Sequence, residues 1–362
     1  MRFISLDLLR FIAAASVAIP HLVIYFFPLE NSVVLEIVTS LAVEIFFVLS
    51  GFVLSPFLAR IFESTTDVGK NLCIFLVRRW MRTLPLYFLA LISFIILFSG
   101  KLDLTALQYL LFLQNFYWSP PTFDYFMVSW SLAVEEWFYI LFPAFIALIF
   151  KICSTTRLIR HRSSVFLWGT IVFILIITLL RLASDVPSEN WGFDVRRVVL
   201  FRIDSIGFGI LLYLFRAVIY KTPISVIVAT IAAILVYVFA GYGRILANTS
   251  HIIESRVIIF FATAVFSSAM LSLFLRLEDV IAGSVKNFSL WGGRVSYGIY
   301  LLHIPVATAV GEGTDLSARI TVLMSIATIM VVTTGVYYYF EKPILDTRPD
   351  FRFDDKYGPS RH

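Results

Sequence analysis

Stretches of about twenty mainly apolar residues recur from one end of this chain to the other. A backbone that crosses hydrocarbon must make all of its own hydrogen bonds, so such runs specify helices packed side by side. Composition agrees: 59% of the residues are hydrophobic and 15% charged, where a soluble domain carries about 25% charged residues. The chain reads as all-α, a polytopic membrane bundle. Its one transmembrane domain runs over residues 1–344, and a polar tail follows over 345–362.

Ten spans are predicted, near 7–27, 34–59, 84–99, 130–150, 166–183, 199–219, 222–242, 256–276, 290–312 and 318–340. The segment 104–117 is expected as a short interfacial or re-entrant piece, with an eleventh span as the alternative. Charge tests that choice. With ten spans and both termini in the cytoplasm, the inner segments hold more than twice as many lysines and arginines as the outer ones. That is the bias expected of cytoplasmic loops. Arg181, Arg196, Arg197, Arg202 and Arg256 fall on the outer side in this arrangement.

The net charge of +5 follows from the same bias, and no nucleic-acid-binding module accompanies it. The two cysteines, Cys73 and Cys153, form no metal-binding or disulfide pattern, so no metal is expected. Ala13-Ala14-Ala15 imitates a signal cleavage site, but Arg10 interrupts the apolar region, and the first segment is expected to stay as a span.

Polar residues inside the spans are the candidates for chemistry, because a charge near mid-membrane costs at least ~2.5 kcal/mol and such residues usually face a partner or a polar cavity. The first span, SLDLLRFIAAASVAIPHLVIYFF, holds Asp7, Arg10 and His21. Asp7 and Arg10 are spaced to pair on a helix. Pro20 frees the carbonyl of Ser16, next to His21. Locally, this describes a helix-end ion pair and a packed histidine as well as it describes a site.

AVEIFFVLSGFVLS adds Glu44, Ser50 and Gly51; Ser50-Gly51 also suits close helix packing. FLVRRWMRTLPLYFL crowds Arg78, Arg79 and Arg82 at the start of a span, which favours a bound phosphate or lipid headgroups between them. SWSLAVEEWFYILFP carries Trp130, Ser131 and the adjacent acids Glu135 and Glu136, which need cations, waters or a substrate. Arg202 and Asp204 are two apart and are expected to pair with other spans, and His303 is expected as a packed core residue.

In order and spacing, these motifs resemble the acyltransferase-3 family, bacterial integral-membrane O-acyltransferases that decorate glycans and lipids. The matching residues are Leu6-Asp7-Leu8-Leu9-Arg10 followed by His21, the stretch Phe46 to Phe52, Arg78-Arg79 and Arg82 with Pro85, Trp130 to Pro143, and the late GRVSYGIYLLH and EKP. Two positions depart: Glu44 stands where the family commonly has aspartate, and Pro20 precedes the histidine where an aromatic or aliphatic residue is usual.

The resemblance implies transfer of an acyl group, commonly acetyl, from acyl-coenzyme A as co-substrate to a hydroxyl of a glycan or glycolipid, in the bacterial cytoplasmic membrane. It implies no permanently bound cofactor. Arg78, Arg79 and Arg82 would hold the phosphates of the donor. The pantetheine arm would thread past Arg10 to His21, the general base, with Arg10 stabilising the oxyanion or orienting His21. Glu135 or Glu136 would fix the imidazole or bind the acceptor. Trp130, Ser131, Glu44, Ser50, Arg202 and Tyr297 would line the donor or acceptor pocket. The rival classes are a proton-coupled exporter of a glycan or lipid and a scaffold for polysaccharide assembly.

Overall fold

The computed structural model describes residues 3–27, 33–63, 67–99, 104–117, 126–155, 162–185, 191–219, 223–237, 254–314 and 316–351. Among them every regular element is helical. The helices are α1 (Ile4–Phe26), α2 (Val33–Glu63), α3 (Val68–Phe94), α4 (Leu104–Leu110), α5 (Trp130–Thr155), α6 (Arg162–Ala183), α7 (Trp191–Asp194), α8 (Asp204–Leu214), α9 (Arg216–Ile219), α10 (Pro223–Val236), α11 (Ile259–Arg276), α12 (Glu278–Ser284), α13 (Lys286–Glu312), α14 (Ala318–Val336) and α15 (Lys342–Asp346). π-helical turns extend α3 to Ser99, precede α11 from Glu254, and join α14 to α15.

Among the described residues, seven helices are long and apolar enough to cross a membrane: α1, α2, α3, α5, α6, α11 and α14 with its continuation. The other three expected spans differ, each for a visible reason. α13 has 27 residues, ample for a crossing, but it carries Arg294, His303 and several serines and glycines and lies largely buried among its neighbours. α10 covers the first part of the segment expected over 222–242; residues 238–242 lie outside the described residues. The segment expected over 199–219 is broken: a short 3-10 turn at Val199–Phe201, then the 11-residue α8, about 16 Å long. The segment 104–117 is the seven-residue α4 followed by turns, too short in its helix for an eleventh span and in keeping with an interfacial or re-entrant piece. It is tied down by Tyr87 Oη, which donates to the carbonyl of Tyr109, and by Trp137 Nε1, which donates to that of Phe112.

The break before α8 leaves backbone carbonyls without helical partners inside the bundle, where each costs several kcal/mol unless satisfied. Arg181 on α6 supplies the donors. Its guanidinium reaches the carbonyls of Phe201 and Arg256 and forks onto Asp204 at 3.2 and 3.0 Å. Arg181, expected at the outer end of its span, is 2% exposed. Arg256 is likewise buried and returns hydrogen bonds to Arg181 and Ser184.

α1 lies against α13 and α2, while α2 also packs along α8. Aromatic rings fill the space where α2, α5 and α6 meet, with Phe138 on Phe142 at 4.8 Å, Phe142 edge-on to Phe173 and Phe62 on Phe150. The outside is ringed by exposed Leu148, Leu175, Leu179, Leu323 and Val331. Glu278 on α12 caps α1, accepting from the amides of Ile4 and Ser5 at 2.8 and 2.9 Å.

Two contacts allow only glycine. Gly51 on α2 and Gly209 on α8 lie backbone to backbone: a Cβ on Gly51 would run into the carbonyl of Ile206, and one on Gly209 into that of Val48. On α13, a Cβ at Gly293 would overlap the side chain of Asp7. Gly209→Ala is therefore expected to destabilise the purified protein by about 1–3 kcal/mol, measured as a fall in melting temperature. Gly283→Ala, where a Cβ meets open space, is expected to cause no loss.

Candidate active site

One cavity of about 800 Å³, solvent at its mouth included, opens at the end of the bundle where α1 begins. α1 gives it Arg10, α2 gives Ser50, α3 gives Arg79, Arg82 and Thr83, α5 gives Ser131, Glu135 and Tyr139, and α13 gives Tyr297 and Tyr300. α3 begins sixteen residues before the span predicted at 84, so the arginines sit within a helix and not at its end.

Arg10 pairs with Asp7 at 3.3 Å, as their spacing predicts. Glu135 faces Arg79 and Arg10 as its cationic neighbours. Its two oxygens accept from Ser50 Oγ at 2.9 Å and Tyr139 Oη at 2.6 Å. At the inner end Ser131 Oγ and Tyr300 Oη share a hydrogen bond of 2.6 Å, and Tyr300 Oη donates to the carbonyl of Val128 at 3.0 Å. Tyr297 Oη donates to the carbonyl of Thr83 at 2.7 Å, tying α13 to α3. The cavity is thus a basic mouth leading to a floor of hydroxyl groups.

Other expected residues lie elsewhere. Glu136 points to α3, where Thr83 Oγ1 donates to it at 2.6 Å, and is outside the cavity lining. Neither Glu135 nor Glu136 bonds to His21. Trp130 is wedged edge-on against Phe47, with the guanidinium of Arg196 over its ring at 4.9 Å.

Arg78 turns away from Arg79 and Arg82 towards the segment after α15. It donates to the carbonyl of Pro349, lies 3.6 Å from Asp350 and covers the ring of Phe351 at 5.2 Å. Arg348, from the same segment, is the fourth arginine here. Partial burial and the positive charges of Arg82, Arg78 and Arg79 lower its pKa to about 10, so it stays charged at neutral pH. Nothing in the sequence marked it, because it sits in what reads as a polar tail.

Glu44 and Arg202, expected in the pocket, form a buried ion pair with each other. Arg202 lies over the rings of Phe260 and Phe47. Their partnership joins α2 to the break before α8, and Arg181 with Asp204 joins α6 to it. Both pairs answer charge with charge inside the bundle.

His21 lies about 25 Å along α1 from Ile4 and about 16 Å beyond Arg10. That separation puts Arg10 out of direct hydrogen-bond reach of His21. The partner of His21 is His303 on α13: Nδ1 of His21 and Nε2 of His303 are 2.9 Å apart. Their rings are 13° from parallel with centroids 5.2 Å apart. That centroid distance is what an in-line contact between two rings meeting edge to edge produces, so the contact is a hydrogen bond in the plane of both rings. His303 is 0% exposed, while His21 is half-buried. His303 was read as a packing residue. Its signals in the sequence are its place at the end of GRVSYGIYLLH and its position two residues before Pro305, as His21 stands one after Pro20. The described cavity ends at Tyr300, one helical turn before His303, and His21 is not in its lining. The expected passage from the arginines to His21 is present as far as Ser131 and Tyr300.

The model of the acyltransferase-3 family, described as an acyltransferase domain, matches residues 3–341. The chain belongs to this family. Among its relatives, the O-acetyltransferase OatA of Staphylococcus aureus (strain NCTC 8325 / PS 47) is 25% identical over 294 residues, covering 75% of this chain and 46% of that protein. The putative peptidoglycan O-acetyltransferase YrhL of Bacillus subtilis (strain 168) is 27% identical over 335 residues, covering 84% and 50%. The peptidoglycan O-acetyltransferase OatA of Listeria monocytogenes serovar 1/2a is 23% identical over 331 residues, covering 84% and 51%. The chain spans about half the length of the curated relatives it matches. No solved structure matches it.

In the family's late motif, Tyr300 and His303 are the residues that the structure brings to the cavity floor and to His21. Glu44 and Arg202 are paired with each other and absent from the lining of this cavity. Glu44→Ala, which strands Arg202, is expected to cost about 3–5 kcal/mol of stability, and Glu44→Met with Arg202→Met distinctly less. Melting temperatures of the purified variants check this.

Proposed function

We propose that this chain is a membrane O-acyltransferase that moves an acetyl group from acetyl-coenzyme A to a hydroxyl of a cell-surface glycan. What carries this reading is the convergence of Arg10, Arg79 and Arg82 on one cavity with a hydroxyl floor, in a chain of an acyltransferase family. The names of its relatives favour acetyl as the acyl group and a peptidoglycan-like glycan as acceptor.

In this mechanism the arginine end faces the cytosol, where lysine and arginine collect. Arg79 and Arg82, with Arg78 and Arg348 at the rim, hold the phosphates of the donor; their planar forks suit phosphate oxygens. The flexible pantetheine arm covers the roughly 16 Å from Arg10 towards His21. Ser131 and Tyr300 line its path; the Ser131 hydroxyl, which donates to Tyr300 Oη, would turn from it to donate to the thioester carbonyl as that oxygen gains charge. The acceptor approaches half-buried His21 from the other end, where Arg196 and Arg197 stand within electrostatic reach of it.

His21 acts as general base. The acceptor oxygen attacks the thioester carbonyl and its proton passes to His21. The carbon–sulfur bond then breaks, and the departing thiolate takes that proton. The ester and free coenzyme A are the products.

The test is transfer of labelled acetyl from acetyl-coenzyme A to muropeptide or glycan acceptors by protein in bilayers. His21→Ala is expected to lower turnover at least 10³-fold while the protein still folds; near-normal turnover removes His21 as the base. Arg79→Ala with Arg82→Ala is expected to raise the KM for the donor tenfold or more, with a smaller change in kcat. An unchanged KM removes them from donor binding. Glycan flux driven by a pH gradient without any acyl donor would favour an exporter instead.

A further inference from the structure

We infer that His303 is a positioning residue that fixes the tautomer of His21, leaving Nε2 of His21 bare to take up the acceptor's proton. This rests on the reading of His21 as base and adds what holds that base in its working form.

The argument follows the hydrogens. Nδ1 of His303 lies 3.0 Å from the carbonyl oxygen of Ile299, one turn earlier on α13. A carbonyl oxygen only accepts, so His303 Nδ1 carries a hydrogen. In the neutral ring Nε2 is then a lone pair. The 2.9 Å contact between His303 Nε2 and His21 Nδ1 needs one hydrogen, and His21 Nδ1 supplies it. With that hydrogen on Nδ1, a neutral His21 has its lone pair on Nε2, the nitrogen turned away from His303. The opposite order would put the shared hydrogen on His303 and make it an imidazolium. His303 is 0% exposed, its ring contacts are a carbonyl and a second imidazole, and a buried charge without a counter-charge is costly.

Free imidazole side chains in water favour the other tautomer, with hydrogen on Nε2. That form would present a hydrogen, and no lone pair, to the acceptor hydroxyl. The hydrogen bond made by one ring nitrogen decides what the other can do, so a backbone carbonyl on α13 sets the base on α1 through His303. In serine hydrolases a carboxylate holds the histidine in this way, and breaking the tautomer costs about 10⁴ in kcat. A neutral imidazole does it here without bringing a second charge into the bundle. During transfer the proton from the acceptor oxygen lands on His21 Nε2, Nδ1–H stays bonded to His303, and the thiolate removes the Nε2 proton as the carbon–sulfur bond breaks.

Solid-state ¹⁵N NMR of histidine-labelled protein in bilayers tests this without reference to activity. Assigned by comparison with His21→Ala, the His21 ring is expected to show a protonated Nδ1 and an unprotonated Nε2; hydrogen on Nε2 overturns the inference. In His303→Leu the His21 tautomer is expected to shift and kcat to fall about 10²–10⁴-fold, with the donor KM within about twofold. In His303→Gln, whose amide oxygen can accept from His21 Nδ1, turnover is expected within about tenfold of the native protein. Full turnover in folded His303→Leu, or equal losses in the Leu and Gln variants, overturns the positioning role. Should His21→Ala prove active, the base reading falls, and the NMR result still reports whether His303 sets the tautomer.

Discussion

A charge or an open carbonyl inside a membrane bundle has to be answered by another group of the protein, because lipid offers neither counter-charge nor hydrogen bond. That rule organises this molecule. Asp204 and the carbonyl of Phe201 stand where a helix breaks, and Arg181 answers both. Glu44 answers Arg202. Once these pairs are made, α2, α6 and α8 are locked together, and the backbone contact between Gly51 and Gly209 becomes possible. Such pairs are weak evidence for net stability, yet breaking one is expensive, which makes them good determinants of arrangement.

The charges left over from that matching mark the cavity. Arg79 and Arg82 lie together on α3, and the one carboxylate among the residues lining their cavity, Glu135, is already held by Ser50 and Tyr139. A site with more positive than negative charge, open to solvent at its mouth, suits a polyanion. The histidine pair lies deeper and is neutral in character, built from rings that satisfy each other and a carbonyl. In the proposed mechanism, binding by charge and proton transfer by imidazole are set at different depths, with the hydroxyls of Ser131 and Tyr300 between them.

Membrane helices and their polar interruptions were legible in the sequence because hydrophobic runs and a charge within them need no partner to be noticed. Asp7 with Arg10 was legible because i,i+3 pairs are local. The burial of Arg181 was not legible: it ends an apolar run, and only the break at Phe201 explains why it is enclosed. Arg202 and Glu44 looked like site residues for the reason that made them conspicuous, unpaired charge in an apolar stretch, and they are partners across 158 residues of chain. The helix-breaking turn before α8 is invisible in a run as apolar as VVLFRIDSIGFGILLYL.

The sequence by itself determined a helical membrane protein of the acyltransferase-3 family, with its basic motif, paired acids and first-span histidine. The helices and their polar positions follow from composition and from spacings along single helices, where the chain specifies its own geometry; the family follows from its motifs. Only the tertiary structure decided which polar groups meet: Glu44 with Arg202, Arg181 with Asp204, and His21 with His303 across 282 residues of chain. Distance along the chain carries no information about such contacts. They are fixed by how helices pack when every buried polar group must find a partner.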